Sequence, residues 1–240
     1  MESLNASVSA GLKWVEIDVG ITKDSIVIVN HFHTSLYEDC PADILRETKM
    51  VVSDTTYEVL CSQATKIGLP IPPKLDDVLS IFKGRLGFQI ELKQGTNYKL
   101  ASTCNKAAAN KVIDKQCEER SQEHDLLLHE VIASLERSRF PANHTIISSF
   151  EAARLNNFRR LNSRYHNLKL VGGQAVGVDG MIKICQMYLG PTPHVAIPIQ
   201  FSTKERVLEL QTQGIVVEIG LPSAGNCLSH SNIKQQPAVS

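Results

Sequence analysis

The stretch Trp-Val-Glu-Ile-Asp-Val, at residues 14–19, decides how the rest of the chain is interpreted. Side chains alternate between the two faces of a β-strand, so Glu16 and Asp18 share one face of this apolar run. Paired acids inside an apolar strand need compensation, and a hard divalent cation is the simplest candidate. A solvated edge strand with ordinary alternation explains the same letters. This run by itself leaves both interpretations open.

Composition places the chain among globular α/β proteins and excludes several functions. The 240 residues are 42% hydrophobic and 21% charged, enough for one large domain or two small ones. Twenty-five basic residues balance 25 acidic ones, which argues against a nucleic-acid partner. The six cysteines show no CxxC spacing, so we expect reduced thiols in a cytoplasmic protein and no structural zinc. The sequence shows no signal peptide and no apolar run that could span a bilayer, and it leaves the oligomeric state open.

Strand-like and helical patterns alternate along the chain. Strands are predicted at residues 13–22, 26–31, 86–93, 145–150, 168–174, 195–200 and 215–219. Helices are predicted within 38–68 and 100–139, and at 75–82, 151–162, 178–189 and 203–213. This alternation predicts a parallel sheet covered by helices, and about seven strand–helix steps fit a TIM-type (β/α)8 barrel. We assign the barrel domain to residues 1–225 and a disordered tail to residues 226–240.

Chemically capable side chains fall at or near the ends of successive predicted strands. These are Glu16 with Asp18, then His31, then Glu91 with Lys93. The carboxyl ends of barrel strands gather at one face, where catalytic groups sit. Three carboxylates there suffice to hold one Mg²⁺ or Ca²⁺. The lysine lies two residues after Glu91 and can face an anionic substrate, while the histidine can transfer a proton near neutral pH.

Four motifs in this order resemble those of the glycerophosphodiester phosphodiesterase family. They are Trp-Val-Glu-Ile-Asp-Val-Gly-Ile-Thr-Lys-Asp at 14–24, Ile-Val-Ile-Val-Asn-His at 26–31, Ile-Pro-Pro-Lys-Leu-Asp-Asp-Val-Leu at 71–79 and Gln-Ile-Glu-Leu-Lys at 89–93. The Ser-Phe pair at 149–150 is similar to one that closes a later strand of the family.

The resemblance implies a metal-dependent barrel enzyme of phospholipid metabolism. Such an enzyme hydrolyses a small-molecule glycerophosphodiester, for example glycerophosphocholine, to glycerol phosphate and an alcohol. Carried over by position, Glu16, Asp18 and Glu91 are the metal ligands, with Mg²⁺ or Ca²⁺ as the cofactor. His31 is one of two catalytic histidines, and Lys93 contacts the substrate phosphate.

The sequence also departs from the family pattern. The family opens with a strand bearing His-Arg-Gly, and this sequence begins downstream of that strand. Phe32 replaces the aspartate that follows the second histidine, and residues 218–221 replace a Trp-Thr-Val-Asn strand. We therefore expect a barrel that is incomplete at both ends. A truncated, non-catalytic relative that acts as a binding or regulatory protein is the alternative. His31 with His33 also permits a zinc-dependent amidohydrolase.

Overall fold

The computed structural model describes residues 1–31, 51–66, 68, 70–93, 125–171, 177–189, 194–198 and 202–220. The expectations for Phe32, His33, the helix before residue 125 and the tail at 226–240 lie outside these residues. The domain boundary at residue 225 also stays a prediction.

Strands and helices alternate through most of the described chain. The strands are β1 (Trp14–Ile21), β2 (Val27–Val29), β3 (Gly87–Leu92), β4 (Thr145–Ser149), β5 (Leu168–Leu170), β6 (His194–Pro198) and β7 (Val216–Gly220). The helices are α1 (Glu2–Ser9), α2 (Tyr57–Lys66), α3 (Leu75–Phe82), α4 (Asp125–Arg137), α5 (Ala152–Leu161), α6 (Gly177–Tyr188) and α7 (Lys204–Thr212). The alternation predicted from the sequence is therefore confirmed, whereas α1 was not expected.

The seven described strands form one sheet in the order β2-β1-β3-β4-β5-β6-β7. From β1 onwards every neighbouring pair in this order is parallel. Strand β2 instead pairs antiparallel with β1. Two strands joined by a short turn pair in this way because a parallel return needs a long crossover. The described sheet does not close, and β2 and β7 lie at its two edges.

The two faces of the sheet differ in chemistry. On β1, Ile17, Val19 and Ile21 are buried and belong to the main apolar core, while Glu16 and Asp18 point to the opposite face. Strand β3 repeats this pattern, because its apolar residues Phe88, Ile90 and Leu92 are fully buried in the same core. The helices cover the apolar face, so the polar residues of the strands are left for the inner face of the barrel.

Helix α3 shows how this cover forms. Leu75, Val78, Leu79 and Phe82 recur at intervals of three and four residues, and all are fully buried. The Phe82 ring meets the Phe88 ring edge-on at 6.4 Å between centroids. Burial of each such side chain stabilises the fold by roughly 2 kcal/mol. This packing fixes the position of β3, the strand that carries Glu91, relative to the helices.

The turn between β1 and β2 is held by polar contacts. Asp24 Oδ1 accepts hydrogen bonds from Thr22 Oγ1 at 2.6 Å and from the Tyr57 backbone N–H at 3.0 Å. Ser25 adopts a left-handed conformation with φ of 62°, as the last residue of such a tight turn often does. The Thr-Lys-Asp segment of the first motif is therefore a structural turn that also caps the start of α2.

Among the described residues, no helix is long and apolar enough to cross a membrane.

Candidate metal centre

Three carboxylates converge on the inner face of the sheet. Asp18 pairs in register with Glu91 across β1 and β3, and Glu16 lies two residues before Asp18 on the same face. One carboxylate oxygen from each of Glu16, Asp18 and Glu91 lies within 4.8 Å of the others. Glu16 and Asp18 lie inside β1 rather than at its carboxyl end, so the expectation of acids gathered at strand ends needs correction.

Lys93 supplies a positive charge to this carboxylate cluster. Its ammonium nitrogen lies 3.4 Å from Asp18 Oδ1 and 3.9 Å from Glu91 Oε1. Lys93 follows Glu91 by two residues, so its side chain emerges on the same side of the chain. The lysine side chain is only 14% exposed. One ammonium therefore faces three acids, and full ionisation of the cluster would leave excess negative charge.

The pKa values of all three acids are raised, and burial is the largest cause in each case. Burial, with the nearby Asp18 carboxylate as the next cause, raises the pKa of Glu91 to about 8. The same two causes raise the pKa of Glu16 to about 7, although its side chain reaches solvent. Burial also raises the pKa of Asp18, against the opposing effect of Lys93. The cluster is thus poised to exchange protons for a cation at neutral pH.

His31 lies near the cluster, but a different structural feature from the expected one places it there. Its Nε2 atom lies 4.0 Å from Asp18 Oδ2, and its side chain is 53% exposed. Because β2 runs antiparallel to β1, its end returns alongside the middle of β1, and the Asn30 N–H donates to the Asp18 carbonyl. The histidine is therefore near the acids through the hairpin, and the explanation by parallel strand ends was wrong for this residue.

A hard divalent cation fits this set of donors. Asp18 Oδ1 and Glu91 Oε1 are buried oxygens that accept no hydrogen bond within the part of the chain that the structure describes. Buried carboxylate oxygens normally have such partners, so these two have coordination capacity to spare. All the donors of the cluster are carboxylate oxygens, which Mg²⁺ and Ca²⁺ prefer over softer ligands.

A second polar group on the inner face was missed in the sequence. Lys169 of β5 is almost fully buried, and its ammonium donates to Gln89 Oε1 and to Glu218 Oε2, both at 2.5 Å. His194 Nε2 lies 3.6 Å from the same Glu218 oxygen. The neighbouring His194, followed by the Lys169 ammonium, lowers the pKa of Glu218 to about 2, against the opposing effect of burial. We call these four residues the lysine network.

The signal that could have revealed the lysine network was the charge in Leu168-Lys169-Leu170. It matches the Ile90-Glu91-Leu92 pattern that was recognised in β3. An open pocket of about 390 Å³ is lined by residues of both the carboxylate cluster and this network. Its lining is Trp14, Val15, Glu16, Gln89, Ile146 and Glu218.

A mostly parallel α/β sheet with helices over one face and a carboxylate cluster on the other is the architecture of a barrel enzyme. The sequence model of the glycerophosphoryl diester phosphodiesterase family matches residues 1–219, and the chain belongs to this family. Members are phosphodiesterases with a TIM-barrel fold, so the predicted fold class and enzyme class are confirmed. The open seven-stranded sheet is consistent with an incomplete barrel.

Solved structures support the same fold. A candidate glycerophosphoryl diester phosphodiesterase from Agrobacterium tumefaciens superposes with a TM-score of 0.65 at 16% identity, covering 91% of this chain and 76% of that one. The glycerophosphodiester phosphodiesterase of Thermotoga maritima gives 0.58 at 17% identity, covering 91% and 77%. An Oleispira antarctica phosphodiesterase in complex with its product sn-glycerol-3-phosphate gives 0.60 at 15% identity, covering 91% and 76%. No curated protein sequence matches this chain.

Proposed function

We propose that this chain hydrolyses glycerophosphodiesters, such as glycerophosphocholine, to glycerol phosphate and an alcohol. The observation that carries the proposal is the meeting of Glu16, Asp18 and Glu91 within 4.8 Å in a chain of this family. The product bound to the Oleispira antarctica phosphodiesterase supports a glycerol phosphate product here. Phospholipid metabolism in the cytoplasm is the setting that we propose.

Glu16, Asp18 and Glu91 would hold one Mg²⁺ or Ca²⁺. When bound, such an ion neutralises phosphate oxygens and stabilises the charge that develops in the transition state. The raised pKa values of Glu16 and Glu91 support this role, because a bound cation compensates both the burial of these acids and their repulsion by Asp18, which together keep protons on them. The carboxylate ligands do not discriminate between Mg²⁺ and Ca²⁺, since carboxylate oxygens bind both ions.

Lys93 and His31 have complementary tasks in this proposal. The Lys93 ammonium binds a phosphate oxygen of the substrate, which its position beside the carboxylates allows. His31, exposed and 4.0 Å from Asp18, donates a proton to the leaving alkoxide oxygen as the phosphorus–oxygen bond breaks. Water attacks phosphorus, and its oxygen remains in the product phosphate. The proton that this water loses passes to solvent, and His31 takes up a proton from solvent again after the alcohol has left.

The direct test is hydrolysis of glycerophosphocholine by the full chain. We expect release of choline when Mg²⁺ or Ca²⁺ is present at about 1 mM or more, and no release after chelation with EDTA. Glu91→Gln should abolish the activity, while Glu209→Gln, an exposed acid on α7, should leave it unchanged. A wild-type chain that binds the cation but hydrolyses no glycerophosphodiester would contradict the proposed catalytic function.

That outcome would favour the second candidate, a non-catalytic relative that binds its ligand without turnover. The observation that favours this candidate is Phe32, which stands where the family has an aspartate after the histidine. His31 is thus followed along the sequence by an aromatic residue in place of that acid. The Phe32→Asp variant distinguishes the two candidates, because a gain of hydrolysis in that variant alone would show that the wild type has lost turnover.

A further inference from the structure

Arg154 occupies an unusual position next to the candidate metal centre. It belongs to α5, the helix that follows β4, and its side chain is fully buried. A buried guanidinium is costly to desolvate unless it makes strong hydrogen bonds. Two other arginines of the same helix lie nearer the surface: Arg160 is exposed, and Arg159 bonds to Asn156 one turn away. Arg154 therefore requires a specific explanation.

The guanidinium is bonded to the carboxyl end of β3. Its Nη1 atom donates a hydrogen bond to the backbone carbonyl of Leu92, the last residue of that strand. The ladder between β3 and β4 ends one residue earlier, at the pair Glu91 and Ser148. Arg154 thus supplies a charge-assisted donor where the pairing with β4 has stopped.

The residue that accepts this hydrogen bond lies between two members of the site in the sequence. Leu92 lies between Glu91 and Lys93, whose side chains both reach the carboxylate cluster. The Leu92 side chain points the other way and is fully buried in the apolar core. The orientation of the Leu92 peptide group therefore sets the direction in which Glu91 and Lys93 leave the strand.

We propose that Arg154 is a positioning residue, which holds the end of β3 so that Glu91 and Lys93 face the cation and the substrate phosphate. The proposal rests on the proposed function, because that function gives Glu91 and Lys93 their roles. Arg154 acts through the Leu92 carbonyl, as an outer partner of a metal ligand does.

Three variants test this role: Arg154→Met removes the donors at similar length, Arg154→Lys keeps a charged donor, and Arg160→Met is the matched control on the same helix. The first readout is amide hydrogen exchange in the metal-free protein. We expect exchange at residues 91–93 to accelerate about 10-fold in the methionine variant, by less in the lysine variant and not at all in the control. Unchanged exchange at residues 91–93 in both Arg154 variants overturns the proposal.

The second readout is calorimetric titration with CaCl₂ alone, below the melting temperature of each variant. We expect the methionine variant to bind the ion about 10-fold more weakly, with partial recovery in the lysine variant. Unchanged affinity in a folded methionine variant shows a merely structural role and overturns the proposal. If the wild type binds no cation, the proposed function fails instead, and the exchange data then decide whether Arg154 holds the end of β3. Should the methionine variant not fold, the lysine variant carries both readouts.

Discussion

The carboxylate cluster and the lysine network lie on the same inner face of the sheet, yet their charges are organised in opposite ways. In the lysine network one acid, Glu218, meets the Lys169 ammonium and the His194 ring, and its pKa falls to about 2. In the cluster three acids meet one ammonium, and the pKa values of Glu16 and Glu91 rise to about 7 and about 8.

The difference separates a structural ion pair from a binding site. Lys169 links β5 to β3 and to β7 across the interior, and its charge is matched within the protein. In the cluster, ionisation of all three acids would leave negative charge unmatched, and Asp18 Oδ1 and Glu91 Oε1 have no hydrogen bond among the described residues, although the Lys93 ammonium lies within 4 Å of both. Acids with raised pKa values at the inner face of a barrel are typical of a functional site.

Removal of one acid from each region should affect cation binding very differently. Glu91→Gln should weaken Ca²⁺ or Mg²⁺ binding by on the order of 100-fold, because it deletes a charged ligand. Glu218→Gln should change the affinity by less than about 3-fold, since the cluster keeps all of its oxygens. Isothermal calorimetry at pH 8 measures both values. Equal losses in the two variants would show that general electrostatics, and no specific site, attracts the cation.

Breaking the lysine network should instead affect folding. Lys169→Met removes the buried ammonium and leaves Glu218 and Gln89 without their donor, so we expect the free energy of unfolding to fall by about 2–4 kcal/mol. Urea denaturation at pH 7 measures this loss. The double variant with Glu218→Gln should recover part of it. A single variant as stable as the wild type would mean that Lys169 does not hold the three strands together.

The pH dependence of stability should carry the signature of the cluster. An acid whose folded pKa is raised is destabilising when ionised, so metal-free protein should lose stability as pH rises from about 4.5 to about 8. The buried Glu91, whose pKa is raised from 4.5 to about 8, should account for most of this loss. Urea denaturation of wild type and Glu91→Gln at pH 5 and pH 8.5 checks this. The variant should show a smaller decline, and parallel pH profiles would contradict the raised pKa.

Asp24, in the turn between β1 and β2, provides the reference for an ordinary exposed acid. Its pKa is lowered, chiefly by the hydrogen bond from Thr22. Asp24→Ala should destabilise the fold by about 1 kcal/mol, since the start of α2 loses its cap. Cation affinity should not change as long as the variant is fully folded, which a titration at low temperature can verify. A loss of affinity as large as that of Glu91→Gln would place the turn within the site.

The sequence was sufficient for the parts of the fold that depend on local periodicity. Two examples are the alternation in β1 and the helical spacing in α3 of Leu75, Val78, Leu79 and Phe82. Both patterns depend only on residues close in sequence, and both elements form as predicted. Helix α1 was missed because only Leu4 is buried in it and no apolar stripe marks it. The acids Glu16, Asp18 and Glu91 could be grouped because two strands each carry the same pattern.

Contacts between distant segments could not be predicted in the same way. Lys169 and Glu218 are 49 residues apart, and only the order of strands in the sheet brings them together. Arg154 lies on a helix where arginine is common, and its contact with Leu92 depends on how α5 packs beside β4. The side-chain pattern of a single element can mark a charged residue, but it does not show which distant residue that side chain contacts.

Calorimetric titration of the metal-free chain with CaCl₂, repeated at pH 7 in buffers of different ionisation enthalpy, shows whether the three acids form one cation site. We expect one ion per chain, with release of about one proton or more, because acids with pKa values of about 7 and about 8 are partly protonated at that pH. Binding without proton release, or no binding, would contradict a cation site built from Glu16, Asp18 and Glu91.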